Sequence, residues 1–225
     1  MPTRIYLSLT NNCNLKCPFC CMHSAPGKRT YLSVWRFKEI LYTCKDTFEL
    51  QLEGGEPLLH PAFEEFIRIA LDTLRCTKII ICTNGILLPG KIDWLDQIAR
   101  KVHMVIKPSV NSHVITHHSN CIDSIRRLVS SYPKIGFVLN VRIGNRLTKK
   151  LAAAEDLMLE HLAKTGLINI SNVFKLQRYG RSSGNSQLEL PYINQNIQNW
   201  EIFASDGRSF GHDLIARSEY EETLK

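Results

Sequence analysis

The sequence is notable first for what it lacks. No apolar run approaches the ~18–20 residues that span a bilayer, so no membrane crossing is expected. The opening "MPTRIYLSLT" has neither the apolar h-region nor the cleavage site of a signal peptide, so export is not expected and a cytoplasmic protein is read. No cysteine follows Cys121. Four of the eight cysteines fall between Cys13 and Cys21, and the others (Cys44, Cys76, Cys82, Cys121) are scattered. Such a cluster in a cytosolic chain points to metal binding rather than to a disulfide framework. Acids are scarce between residues 121 and 150, where seven Lys/Arg accompany a single acid, Asp123. That basic stretch attracts anions in general. It lacks the interleaved aromatics of a stacking platform, so a nucleic-acid partner is not expected.

The remaining composition is ordinary for a globular chain of 225 residues, with 44% apolar and 22% charged residues and a net charge of +7. Strands and helices alternate along it. "RIYLSLT" (4–10) reads as a strand. A helix follows over 33–46, with Ser33 as N-cap and Trp35, Phe37, Ile40 and Leu41 as its apolar stripe. "FELQLEGGEP" is a strand ending in glycines. Residues 61–75 form a helix opened by Pro61. "KIIICTNG" (78–85) is a buried strand closing on an Asn-Gly turn. Helices are read over 92–102, 122–132 and 148–164. "HMVIKPSV", "IGFVLNVRIG" and "INISNVFKLQRYG" are the remaining strands. Pro108 is expected at or beyond the hydrogen-bonded end of its strand. Six β–α steps imply an α/β fold with a parallel sheet, either a partial barrel or an open doubly wound sheet. Both place functional groups at the strand C-terminal ends. The Asn-, Gln- and Ser-rich tail over 184–225 has no core of its own. Within it "WEIFASDGRSFG" reads as a hairpin turning at Asp206-Gly207. The expected organisation is therefore a main domain over 1–183 and a tail over 184–225 that caps it.

The chemistry gathers in "NNCNLKCPFCC". Cys13, Cys17 and Cys20 are spaced C-x3-C-x2-C. A structural zinc site wants four ligands, commonly in two knuckles, and no distal knuckle is present. His23 is a strained fourth ligand, being close to Cys20. A 4Fe–4S cube ordinarily takes four thiolates. Three leave one iron open, as in catalytic rather than structural metal sites.

These residues carry a family resemblance. "CNLKCPFC" resembles the cluster loop of radical S-adenosylmethionine (SAM) enzymes, with Phe19 before the third cysteine. "GGEP" (54–57), at the end of the second strand, is similar to that family's SAM-binding motif. The strand–helix pattern to about residue 183 resembles the family's partial (β/α)6 parallel barrel. The resemblance implies one 4Fe–4S cluster on Cys13, Cys17 and Cys20, with SAM chelating the open iron. In the family the reduced cluster cleaves SAM to a 5′-deoxyadenosyl radical, which abstracts a hydrogen atom from substrate. An electron donor such as flavodoxin or ferredoxin is implied as partner.

Residue roles follow from the same resemblance. Phe19 packs near the adenine. Gly54 and Gly55 let the backbone approach SAM, as only glycine can without a Cβ clash. Glu56 accepts from the SAM ammonium. Asn84 in "TNG" is a site candidate or simply the Asn of a tight turn. Ser109 lies where relatives place a hydroxyl on the SAM carboxylate or ribose. Asn140 and Arg142 share one face of the fifth strand, and Arg142 can hold a carboxylate or pair at the surface. Tyr179-Gly180-Arg181 resembles the turn that meets the adenine, and Gln177 points toward the site or away from it. Cys21 is read as a bystander. The tail hairpin resembles that of SPASM/twitch members, but without cysteines it holds no auxiliary cluster. "KPSVNS" lacks the Asp-Gly signature of glycyl-radical activating enzymes. The expected substrate is a small metabolite or a peptide, with peptide or natural-product maturation first. The alternatives are activation of a partner enzyme by a protein radical and a non-catalytic metal-binding regulator.

Overall fold

A computed structural model describes residues 3–144, 146, 148–191 and 199–224. Residues 192–198 of the Asn-, Gln- and Ser-rich tail lie outside the described residues. In chain order the elements are β1 (Thr3–Ser8), α1 (Val34–Thr43), β2 (Phe48–Glu53), α2 (Phe63–Asp72), β3 (Cys76–Thr83), α3 (Ile92–Ala99) and β4 (His103–Asn111). There follow α4 (Ser112–His117), α5 (Cys121–Ser131), β5 (Gly136–Phe137), β6 (Leu139–Ile143), α6 (Lys149–Lys164), β7 (Ser171–Lys175), β8 (Trp200–Phe203) and α7 (Leu214–Thr223). The chain divides into two compact units, one made of Met1–Cys82 with Gln177–Lys225 and the other of Thr83–Leu176. The boundary expected at residue 183 falls inside the first unit.

In the first unit the strands run β8-β1-β2-β3, all parallel. The register pairs Ile5 with Leu50 and Leu50 with Ile79, so apolar positions line up across three strands. Ile5, Leu50 and Ile79 are fully buried. Helices α1 and α2 meet through Phe37 and Phe66, whose rings stack with centroids 4.4 Å apart. Ser33 caps α1 as expected, accepting from Arg36 N at 3.1 Å. Trp35, expected in the buried stripe, is 71% exposed. It lies two positions from Phe37, and such residues do not share a helix face.

The tail hairpin is present. Ala204 N donates to Arg208 O (2.9 Å), Phe210 N donates to Ile202 O (2.8 Å), and Phe203 bridges Ser209 antiparallel. Its first arm is also β8, paired parallel with β1. The tail thus adds a strand and a helix to the first unit rather than only capping it.

In the second unit β4, β6 and β7 lie side by side in parallel, and β5 pairs β4 at Val105–Ile106. The single strand expected over 135–144 is broken at Val138. One correction concerns Pro108: β4 continues through it to Asn111. Of its partners in this unit, β4 meets β5 before Pro108 and β6 from Ser109 onward. Proline sits in the gap between the two pairings, where this edge asks for no N–H. Val110, Ile125, Leu139, Val141, Met158 and Leu162 form the core of this unit. Repeated strand–helix steps, with the pairings between the named strands inside each unit parallel, make this an α/β fold.

Candidate functional site

The cysteine loop follows β1. All eight cysteines are thiols, with Cys13 buried and Cys17, Cys20 and Cys21 half-buried. The loop is shaped by its own polar side chains. Asn11 Oδ1 accepts from Thr30 N (3.0 Å) and Asn12 Oδ1 from Gly27 N (3.3 Å). Leu15 N donates to Cys13 Sγ at 3.4 Å, and Cys20 N donates to Cys17 O at 3.2 Å. Among the described residues, no three His, Cys, Asp or Glu converge as ligands of a single metal ion. The donor set that one loop offers is three soft thiols, Cys13, Cys17 and Cys20, of the kind that hold iron–sulfur clusters. His23, the strained alternative ligand, is buried with Nδ1 3.7 Å from Glu222 Oε1.

The GGEP segment is bonded directly to the entry of this loop. Gly55 N donates to Thr10 O (2.6 Å) and Glu56 N to Asn12 O (2.9 Å). A Cβ on Gly55 would lie 2.1 Å from Asn12 O, and one on Gly54 (φ +125°) would lie 2.5 Å from Thr10 O. Glycine is required here by the chain's own backbone, a demand additional to the expected approach of SAM. Glu56 is fully buried. Its Oε1 accepts from Leu58 N (3.2 Å), capping the short turn Pro57–Leu59. The carboxylate expected to meet an ammonium group is thus engaged within the chain. Behind this turn His60 accepts from Ala62 N at Nδ1 (3.0 Å) and faces Leu32 O with Nε2 (3.1 Å). Burial pushes its pKa down to about 4.

The turn at 179–181 closes on the cysteine loop. Arg181 N donates to Cys20 O (3.1 Å), its Nη1 to Cys17 O (2.9 Å) and its Nη2 to Ser24 O. A Cβ on Gly180 (φ +63°) would lie 2.5 Å from Cys21 Cα. Tyr179 is half-buried, with N donating to Gln177 O (3.0 Å). Gln177 bridges Glu189, and its carbonyl also accepts from Ser182 Oγ (2.7 Å). Phe19 is half-buried in the turn between Cys17 and Cys20. Sequence reasoning missed the grip of Arg181 on the loop carbonyls. It also missed Glu53, Arg217, Ser218 and Glu221, which carry no motif and meet only through long-range folding.

The other candidates belong to the second unit. Asn84 Oδ1 accepts from Ile86 N (3.1 Å) and Gly85 N donates to Thr83 Oγ1 (3.0 Å), so the tight-turn role is present. Asn84 also lines a cavity of about 340 Å³ with Pro89, His117, Asn120, Cys121 and Arg127. The β4–β6 register sets Ser109 beside Asn140 and Asn111 beside Arg142. Ser109 lies inside β4, as the reading of "HMVIKPSV" as a strand has it. Arg142 lies over the Phe174 ring, 6.0 Å from the centroid, at the outer reach of a cation–π contact.

Comparison with known proteins gives consistent matches. The model of the radical SAM superfamily matches residues 7–112. A GTP 3′,8-cyclase of Synechocystis sp. is 32% identical over 144 residues, covering 61% of this chain and 44% of that protein. The antilisterial bacteriocin subtilosin biosynthesis protein AlbA of Bacillus subtilis is 31% identical over 118 residues, covering 51% of this chain and 26% of that protein. The chain thus spans less than half the length of these relatives. Among solved structures, native anSMEcpe with bound AdoMet and Cp18Cys peptide aligns with a TM-score of 0.58 at 15% identity, over 78% of this chain and 51% of that one. Streptococcus suis SuiB bound to precursor peptide SuiA aligns with a TM-score of 0.53 at 15% identity, over 85% of this chain and 42% of that one. These likenesses show the fold, a parallel-stranded partial α/β barrel. Among the described residues no helix is long and apolar enough to cross a membrane.

Proposed function

We propose that the chain is a radical SAM enzyme with one 4Fe–4S cluster, acting in maturation of a peptide or natural product, a reading supported by the match of the radical SAM superfamily model to residues 7–112. The observation that carries the reading is the direct bonding of the GGEP segment to the three-cysteine loop, through Gly55 N to Thr10 O (2.6 Å) and Glu56 N to Asn12 O (2.9 Å). Two separate motifs are thereby joined at the ends of the neighbouring parallel strands β1 and β2. Cys13, Cys17 and Cys20 would hold the cluster, and three thiolates leave one iron for SAM. When bound, the pair supplies one-electron reduction and a carbon radical that removes a hydrogen atom from substrate.

The chain's residues position and shield that chemistry. Arg181 and Gly180 hold the loop's carbonyls and main chain, so its thiolates keep a fixed spacing. Gly54 and Gly55 offer backbone at the loop's edge. Phe19 and Tyr179 are the cofactor-facing aromatics of the first unit. Asn84, Ser109, Asn140 and Arg142 are the polar candidates of the second. The relative named for subtilosin biosynthesis and the neighbours solved with peptides support a peptide substrate. A second reading, an anionic metabolite such as a nucleotide, is supported by the relatives named GTP 3′,8-cyclase and by the basic stretch over 121–150. Flavodoxin or ferredoxin is the proposed class of electron donor.

The test is anaerobic reconstitution with iron and sulfide, followed by reductant and SAM. 5′-Deoxyadenosine is expected, and none from cluster-loaded protein overturns the proposal. Replacing Cys13, Cys17 or Cys20 by Ala should abolish the cluster absorbance, whereas Cys21→Ala should leave it.

A further inference from the structure

Helix α7 turns a polar face inward. Arg217, Ser218 and Glu221 are 3%, 2% and 0% exposed. Burying a guanidinium and a carboxylate is costly unless both are paired, and here each is. Arg217 Nη1 lies 2.5 Å from Oε1 of Glu53, the residue before Gly54. The other Glu53 oxygen accepts from Gln51 Nε2 at 2.7 Å. Glu221 accepts from Ser205 N and Oγ, both at 2.7 Å, and Ser205 Oγ lies 3.1 Å from Ser8 Oγ at the end of β1. Ser218 Oγ donates to Cys21 O at 2.5 Å. Lys28 Nζ, beyond the cysteines, donates to Leu224 O at 2.7 Å. One helix therefore ties together the ends of β1 and β2 and the far end of the cysteine loop.

Packing alone does not call for this arrangement. Apolar residues of similar volume commonly replace a buried ion pair without loss of stability. Burial opposes the charge of Arg217, but Glu53, Cys21 and Glu221 outweigh it and keep the guanidinium charged. Its Nε is buried without a hydrogen-bond partner. A permanent cation is thus held beside the cysteine loop.

Resting on the radical SAM reading, we propose that Ser218 and Arg217 are positioning residues for the cysteine loop. Ser218 pins the peptide after Cys21, and Arg217 supplies a fixed positive charge that favours the reduced state of a cluster on Cys13, Cys17 and Cys20. A cluster that gains an electron gains a negative charge, and a buried cation nearby lowers the energy of that state.

Two measurements test this. In metal-free protein, Ser218→Ala should speed amide hydrogen exchange over residues 17–24 by roughly fivefold, the loss of one ordinary hydrogen bond, with β2 and β3 unchanged. Equal exchange overturns the pin. In cluster-loaded protein, redox titration of Arg217→Met should show a lower midpoint potential, by about tenfold in the reduction equilibrium, the size of one partly screened charge. Arg217→Lys should stay near the parent. Glu53→Gln, which removes the opposing carboxylate, should move the potential upward and serves if Arg217→Met fails to fold. Parent potentials in both charge variants overturn the charge role. If the unmodified protein takes up no iron and sulfide, the radical SAM reading falls and the charge role with it, while the exchange measurement still decides the pin.

Discussion

Helices α6 and α7 are seated by opposite physics. Helix α6 presses Met158 and Leu162 into the core of the second unit, against Val110, Leu139 and Val141. Helix α7 presents Arg217, Ser218 and Glu221 to the first unit and is held by an ion pair and hydrogen bonds. Apolar burial is non-directional and tolerates small slides. A hydrogen-bonded seat holds at one register only, because each bond weakens steeply with misalignment. The second unit therefore uses burial for cohesion, whereas the first uses directional contacts where the cysteine loop needs fixed geometry.

The largest expected effect breaks the polar seat. Arg217→Met leaves the half-buried Glu53 without its cation and should cost about 3–5 kcal/mol in urea unfolding. Adding Glu53→Gln should recover most of that loss, since the strain lies in the unpaired charge. Leu162→Ala should cost about 2–5 kcal/mol through a cavity in the second unit, and no polar second-site change should restore it.

A pH signature separates the two seats further. His60, neutral with both ring nitrogens engaged, has a pKa lowered from 6.5 to about 4 by burial. Below pH 6.5 the unfolded chain binds a proton that the folded chain refuses. Stability of the first unit should therefore fall as pH drops from about 6.5 toward 4. His60→Asn should flatten that slope in denaturation curves taken across the window. The smallest effects concern caps. Asp213 accepts from Ile215 N and Ala216 N at the start of α7, and Thr148 accepts from Leu151 N at the start of α6. Replacing either by Ala should cost about 1 kcal/mol. Amide exchange should rise throughout α7 in the first variant but only in the first turn of α6 in the second.

Legibility follows the same division. The cysteine loop and GGEP were readable because their chemistry sits in adjacent residues. Their glycines proved to answer also to Asn12 and Thr10, a contact between the segments that follow β1 and β2 that spacing does not reveal. Phe37, Ile40 and Leu41 announce α1 by their period, whereas Trp35 is out of phase and exposed. Pro108 was misread as a strand end because its tolerance depends on where β4 changes partners. The segment "LIARSEYEET" has no apolar stripe, so α7 is invisible to a periodicity argument. Arg217 and Ser218 acquire meaning only through Glu53 and Cys21, which lie far away in the chain.

That distance has a consequence for timing. Cys21 and Ser218 are 197 positions apart, as are Ser8 and Ser205. At about 5–20 residues per second, roughly ten to forty seconds of synthesis separate Cys21 from the hydroxyl that holds it. For most of that interval the strand order is incomplete beside β1, and the cysteine loop has neither Arg181 nor α7 against it. On the radical SAM reading, cluster loading onto a geometrically finished loop is therefore a late event in the life of the nascent chain, after the second unit has had time to fold.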